Sequence, residues 1–180
     1  MKSWDAARVA EAAGARRVAS GDGGPTRAVI DTRSIEPGDL FVGLRGERVD
    51  GGRFAADALA AGAWGVLVDP AHADGLSGGA VIVAEDPLLA LQTLATAWRR
   101  ALDAAVIGVT GSVGKTSTKE ALRLSLSKDG ETHASVASYN NHWGVPLSLA
   151  RCPQTARYCV LEMGMNHAGE IGPLLRLALP

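Results

Sequence analysis

One stretch narrows the possible folds more than any other: V-I-G-V-T-G-S-V-G-K-T-S-T, residues 106–118. A short apolar run enters a glycine-rich turn, and a lysine followed by hydroxyl residues opens a helical pattern. That order suits a triphosphate. A buried strand delivers the chain, glycines let backbone N–H groups curl around phosphate oxygens, and a helix N-terminus adds partial positive charge. The candidate ATP site is Gly111, Ser112, Val113, Gly114, Lys115, Thr116 and Ser117. Lys115 is placed to reach the β- and γ-phosphates and the Thr116 hydroxyl to ligate Mg²⁺. The usual pattern has glycine where this chain has Val109. The alternative is an ordinary strand-turn-helix corner, in which Gly111 and Gly114 merely supply positive φ. The sequence of strand, loop, Lys-Thr and helix favours the nucleotide.

Elements alternate on both sides of this stretch. Residues 3–13 predict a short helix capped by Ser3 and ending at Gly14. Residues 27–31, 40–44, 64–68 and 80–84 are short apolar runs that predict strands, and 54–61 predicts a helix. Residues 20–25 and 45–53 are glycine-rich loops. Asp86-Pro87 predicts an N-cap with proline at the first helical position, opening a helix to about Leu102. Its stripe is Leu91, Ala95, Trp98 and Leu102. Further strands are predicted at 106–109, 131–135 and 158–163, and helices at 115–127, 145–150 and 174–179. The fold class is therefore α/β: a small N-terminal α/β domain over 1–84, then the start of a parallel-sheet domain of the phosphate-loop type over 85–180.

Composition removes other classes. Hydrophobic residues at 47% and charged residues at 21% belong to a globular chain and not to a disordered one. Lys+Arg 18 against Asp+Glu 19 leaves a net charge of -1, so no basic surface advertises nucleic acid. No run approaches the roughly 18 apolar residues of a membrane span. The N-terminus lacks the apolar core of a signal peptide, and the expected location is the cytoplasm. Cys152 and Cys159 fit neither a disulfide framework nor a zinc pattern and read as small apolar filler beside a strand.

Several side chains carry candidate chemistry. Glu162 ends an apolar strand, where a carboxylate is well placed to ligate Mg²⁺; the alternative is a solvated strand-end charge. His142 and His167 lie in candidate active-site loops without paired metal-ligand spacing, while His72 and His133 are assigned to the surface. Arg33, Arg45, Arg48 and Arg53 cluster around glycine-rich turns. Their guanidinium groups suit a phosphate or pyrophosphate as well as they suit solvent.

Together these stretches resemble the Mur ligases, the ATP-dependent amide-forming enzymes of peptidoglycan precursor synthesis. The loop T-G-S-V-G-K-T-S (110–117) has that family's form, in which the first glycine is absent. D-T-R-S-I-E-P-G-D-L-F-V-G-L-R-G-E-R-V-D-G (31–51) resembles its UDP-holding domain. N-N-H-W-G-V-P (140–146) and E-M-G-M-N-H-A-G-E-I (162–171) are most similar to the member that joins D-alanyl-D-alanine to UDP-N-acetylmuramoyl-tripeptide.

The resemblance implies ATP and Mg²⁺ as cofactors and an acyl-phosphate intermediate. It implies Lys115, Glu162 and His167 as catalytic residues and Thr116 and Glu162 as metal ligands. Thr32, Arg33 and Arg48 are implied for the UDP moiety, and Asn140, Asn141, Asn166 and His167 for the junction of tripeptide and ATP. Family members are far longer, so the carbamylated metal-site lysine, the adenine contacts and the D-Ala-D-Ala site are expected beyond Pro180. The 180 residues are expected to be an inactive fragment when alone, with an open sheet edge that promotes self-association. The rival within the class adds the third residue to UDP-muramoyl dipeptide; the rival outside it is a non-catalytic nucleotide-binding module.

Overall fold

The structure, a computed structural model, describes residues 1–136 and 139–180. The chain divides into two compact units, Met1–Leu94 and Ala95–Pro180.

In the first unit, α1 (Ala6–Ala12) is capped by Asp5 and not by Ser3. The Asp5 carboxylate accepts the Arg8 N–H at 2.8 Å, and Gly14 with φ of 62° follows the helix end. Five strands follow: β1 (Arg16–Ala19), β2 (Ala28–Val29), β3 (Leu40–Val42), β4 (Gly65–Val68) and β5 (Ala80–Val83), with α2 (Ala55–Ala60) between β3 and β4. Their order is β1-β5-β4-β3-β2, parallel except for β1, which runs antiparallel to β5. Alternate residues on parallel strands share a face, so Val29, Phe41, Val66 and Val81 form one row across four strands. Ala55, Ala58 and Leu59 of α2 pack in the same buried cluster. β1 was not predictable from periodicity. It is an edge strand whose Arg16, Arg17 and Val18 are exposed, the charged form in which an unpaired edge is tolerated.

Helix α3 (Pro87–Ala101) opens as predicted, the Asp86 carboxylate accepting the N–H groups of Leu88 and Leu89 at 2.9 and 3.0 Å. Leu91, Ala95, Trp98 and Leu102 are all buried.

The second unit holds β6 (Ala105–Val109), α4 (Lys115–Leu126), β7 (Thr132–Ala134), α5 (Gly144–Arg151), β8 (Tyr158–Glu162) and α6 (Ile171–Ala178). Its strands are parallel in the order β6-β8-β7, which makes β8 the central strand. Cys159, Val160 and Leu161 on β8 are fully buried, as is Cys152 at the end of α5, and both cysteines are free thiols. Among the described residues no helix is long and apolar enough to cross a membrane.

Two histidines assigned to the surface are partly enclosed. His72 sits between carboxylates, its Nδ1 2.7 Å from Asp69 and its Nε2 4.0 Å from Asp50. His133 on β7 donates from Nε2 to the Ser148 carbonyl at 2.8 Å, because α5 lies beside that strand end. Burial pushes the His133 pKa below its ordinary value, and the bond to Ser148 opposes this only in part. A folded-state pKa below the unfolded value means that the neutral ring contributes stability fully above about pH 6.5. That stability drains as pH falls from there toward the folded pKa. The urea midpoint is therefore expected to drop between about pH 7.5 and 5.5, and His133→Gln, which keeps a donor near Nε2, is expected to flatten the drop. An equal drop in wild type and variant would assign the titration to another group.

Candidate nucleotide and metal site

The site forms where parallel strands end. Val109 and Glu162, the last residues of β6 and β8, are register partners, so the loop leaving β6 starts beside the Glu162 side chain. Ligands of such sheets sit beyond this carboxyl edge. The loop reaches α4 through Gly114, which has φ of 76° at the helix N-cap, a conformation costly for any residue with a Cβ. Lys115 folds back on the loop, its Nζ donating to the Gly111 carbonyl at 2.8 Å.

Glu162 is the centre. It is 1% exposed. Its Oε2 accepts the Thr116 hydroxyl and its Oε1 the Asn140 side-chain amide, each at 2.9 Å. Both donors are neutral, so hydrogen bonding satisfies the oxygens without neutralising the charge. A buried carboxylate beside a hydroxyl offers oxygen donors of the kind hard divalent cations take, while Asn140 turns its amide nitrogen to the same carboxylate. These residues fit Mg²⁺.

Asn140 is held closely. Its carbonyl accepts the Gly164 N–H at 2.7 Å, and a Cβ on Gly164 would stand 2.8 Å from Asn140 Cγ, so residue 164 must be glycine for this approach. Asn141 has a different task from its neighbour: its Oδ1 accepts the N–H groups of Trp143 and Gly144 at 3.3 and 2.9 Å, at the start of α5. Lys115, Asn140, Asn141, Gly164, Asn166 and Glu170 line one open cleft of about 130 Å³.

Glu170 escaped sequence reasoning. Its carboxylate accepts the backbone N–H groups of Asn166 and His167 at 2.7 and 3.3 Å, and these bonds hold it below the usual carboxylate range. His167 itself is exposed and is not among the residues lining the cleft. The one signal that could have found Glu170 is its place four residues after Asn166, within reach of a turn's N–H groups. Ser117 is exposed on the first turn of α4, and Ser112 and Val113 are exposed at the loop tip.

In the first unit, Thr32 and Arg33 follow β2 and Arg48 lies in the loop after β3, at the same edge of that sheet. Arg33 is already paired: its guanidinium donates to both Asp31 oxygens, at 2.7 to 3.2 Å, and this draws the Asp31 pKa down to about 2. Arg48 is exposed.

A strand, a glycine loop with Lys-Thr at a helix start, and a buried carboxylate on the neighbouring strand define an α/β unit of the phosphate-loop class. Two family models match the chain, one described as Mur ligase family, catalytic domain, over residues 27–98, the other as Mur ligase middle domain, over 109–180. The chain belongs to the Mur ligase family. It is 44% identical over 150 residues to the UDP-N-acetylmuramoyl-tripeptide–D-alanyl-D-alanine ligase of Bacillus subtilis, covering 83% of this chain and 33% of that protein. The enzyme of the same name from Escherichia coli is 41% identical over 151 residues, covering 83% and 32%. A crystal structure of MurF from Acinetobacter baumannii superposes with a TM-score of 0.80 at 32% identity, covering 98% of this chain and 39% of that one. A MurF ligase from Thermotoga maritima, solved in complex with ADP, has a TM-score of 0.68 at 30% identity, covering 84% and 35%. The chain thus spans about a third of the length of the relatives it matches.

Proposed function

We propose that this chain forms part of an ATP-dependent ligase that joins D-alanyl-D-alanine to UDP-N-acetylmuramoyl-tripeptide in peptidoglycan precursor synthesis. On this reading the protein works in the cytoplasm and serves cell-wall growth, cell shape and division. Residues 1–84 hold the UDP-muramoyl peptide, and residues 85–180 begin the ATP-binding domain. The observation that carries the reading is Glu162, a buried carboxylate with two neutral donors beside a phosphate loop.

The residues then have distinct tasks. The N–H groups of residues 111–114 and the α4 N-terminus hold phosphate oxygens, and Lys115 leaves the Gly111 carbonyl for the β- and γ-phosphates. Thr116 and Glu162 hold Mg²⁺, with Asn140 orienting the carboxylate. The metal, when bound, neutralises charge that develops on the transferring phosphoryl group. Asn141 and Asn166 face the incoming peptide across the cleft, and His167, exposed in the turn after Asn166, is the third catalytic candidate. Thr32, Arg33 and Arg48 hold the UDP end, with Arg33 exchanging Asp31 for a phosphate oxygen. The γ-phosphoryl group passes from ATP to the terminal carboxylate of the tripeptide, giving an acyl phosphate and ADP. The amine of D-Ala-D-Ala then attacks the acyl carbon, losing a proton, and the amide forms as inorganic phosphate leaves.

The test is calorimetric titration of the chain with UDP-N-acetylmuramoyl-tripeptide and, in parallel, with the dipeptide. Saturable binding at least about tenfold tighter for the tripeptide is expected. Equal affinities would move the assignment to the ligase that adds the third residue. Binding of neither by a folded chain would remove the muramoyl substrate and leave a nucleotide-binding unit.

A further inference from the structure

Helix α4 carries a second lysine one turn beyond Lys115. Lys119 is 1% exposed, and its Nζ donates to the Ser135 carbonyl at 2.8 Å and lies 3.2 Å from Glu120 Oε1. Burying an ammonium group is costly even when it is paired, and a methionine of similar volume would fill the space without that cost. The charge and its directed donors therefore serve something other than packing.

The hydrogen bonds show where the influence goes. Ser135, just past β7, is 2% exposed, and its backbone N–H donates to the Val160 carbonyl at 3.0 Å. Its Oγ accepts the backbone N–H of Glu162 at 3.1 Å. Glu162 in turn takes the Thr116 hydroxyl. Thr116 and Lys119 are three residues apart and share one face of α4. The helix therefore grips the carboxylate-bearing end of β8 at two points, directly through Thr116 and indirectly from Lys119 through Ser135.

We propose that Lys119 is a positioning residue for Glu162. Acting through Ser135, it fixes where the carboxylate stands against the phosphate loop, and so sets how tightly the site takes a divalent cation together with a nucleotide. The inference rests on the nucleotide reading above, and its test separates the two.

Amide hydrogen exchange on the unliganded chain needs no ligand. In Lys119→Met, exchange at Glu162 is expected to quicken by at least about tenfold while Val160 on the same strand changes less than about twofold. Unchanged protection at Glu162, or an equal loss along the whole strand, would overturn the proposal, the second by making Lys119 an ordinary core residue. The second readout is Mn²⁺ uptake in the presence of ADP, followed by electron paramagnetic resonance. Lys119→Met and Ser135→Ala are each expected to raise the Mn²⁺ midpoint by about tenfold, the usual scale for loss of an outer partner of a metal ligand. ADP binding without metal should stay within about twofold, and Ser135→Thr, which keeps the hydroxyl, should recover most of what Ser135→Ala loses. A midpoint unmoved by Lys119→Met overturns the proposal. A wild-type chain that takes up no ADP overturns the nucleotide reading instead, and the exchange result then decides on Lys119 by itself.

Discussion

Replacing Lys115 by alanine is expected to weaken Mg·ATP binding by about a hundredfold while leaving the urea midpoint almost unchanged. The two halves of that expectation have separate causes. Without nucleotide the Lys115 ammonium bonds only exposed backbone, the Gly111 carbonyl at 2.8 Å, and water replaces it there when the side chain is removed. Changes of that kind cost within about 0.5 kcal/mol. With nucleotide, the same ammonium faces several phosphate charges, and charge-assisted bonds of this type contribute about 1.5–3 kcal/mol each. Titration with a fluorescent ATP analogue, with and without Mg²⁺, measures the loss. Lys115→Arg is expected to fall between wild type and alanine, since it keeps the charge but brings a planar fork into a cradle shaped for a point cation. An alanine variant that binds as wild type would reduce the loop to a structural corner and remove ATP from the proposed function.

The phosphate loop was legible because its chemistry is local. Strand, glycines, lysine and hydroxyl follow within a dozen residues, and the structure holds them in that order. The departure at Val109 also has a local cause. Val109 is the last residue of β6, 8% exposed, and its carbonyl accepts the Met163 N–H at 2.8 Å, so the position belongs to the sheet and has no need of glycine. Glu162 was legible as a strand-end carboxylate. Its contact with Thr116, 46 residues away in sequence, depends on β8 lying between β6 and β7, and strand order leaves no trace in periodicity. Lys119 and Ser135 were missed for the same reason, whereas Glu170 bonds only backbone three and four residues before it and its role depends on the local turn. A lysine in a helix reads as solvated until the strand that covers it is placed. His133 was misjudged likewise, its burial being imposed by α5. In the first unit, β1 was hidden because a charged edge strand lacks the apolar alternation by which strands are found.

The largest stability effect is expected at Trp98, through packing rather than chemistry. Its ring is fully buried, and its Nε1 donates to the Cys152 carbonyl at 2.9 Å, tying the last turn of α3 to the end of α5. Trp98→Ala removes the indole's apolar contacts and leaves a cavity, which together cost about 3–5 kcal/mol for an aromatic side chain. A carbonyl left without its donor in the interior adds to this by about 1–3 kcal/mol. Against a domain stability of about 5–15 kcal/mol, the variant is expected to sit at the margin of folding. Trp98→Phe keeps much of the volume but loses the N–H, so it isolates the second contribution and should cost about 1–3 kcal/mol. Urea unfolding followed by circular dichroism orders the three proteins. Phenylalanine close to alanine would make the Cys152 bond the dominant tie between the two helices. An alanine variant costing less than about 1 kcal/mol would mean that the α3 stripe does not anchor the second unit, and that its core rests on the β8 strand alone.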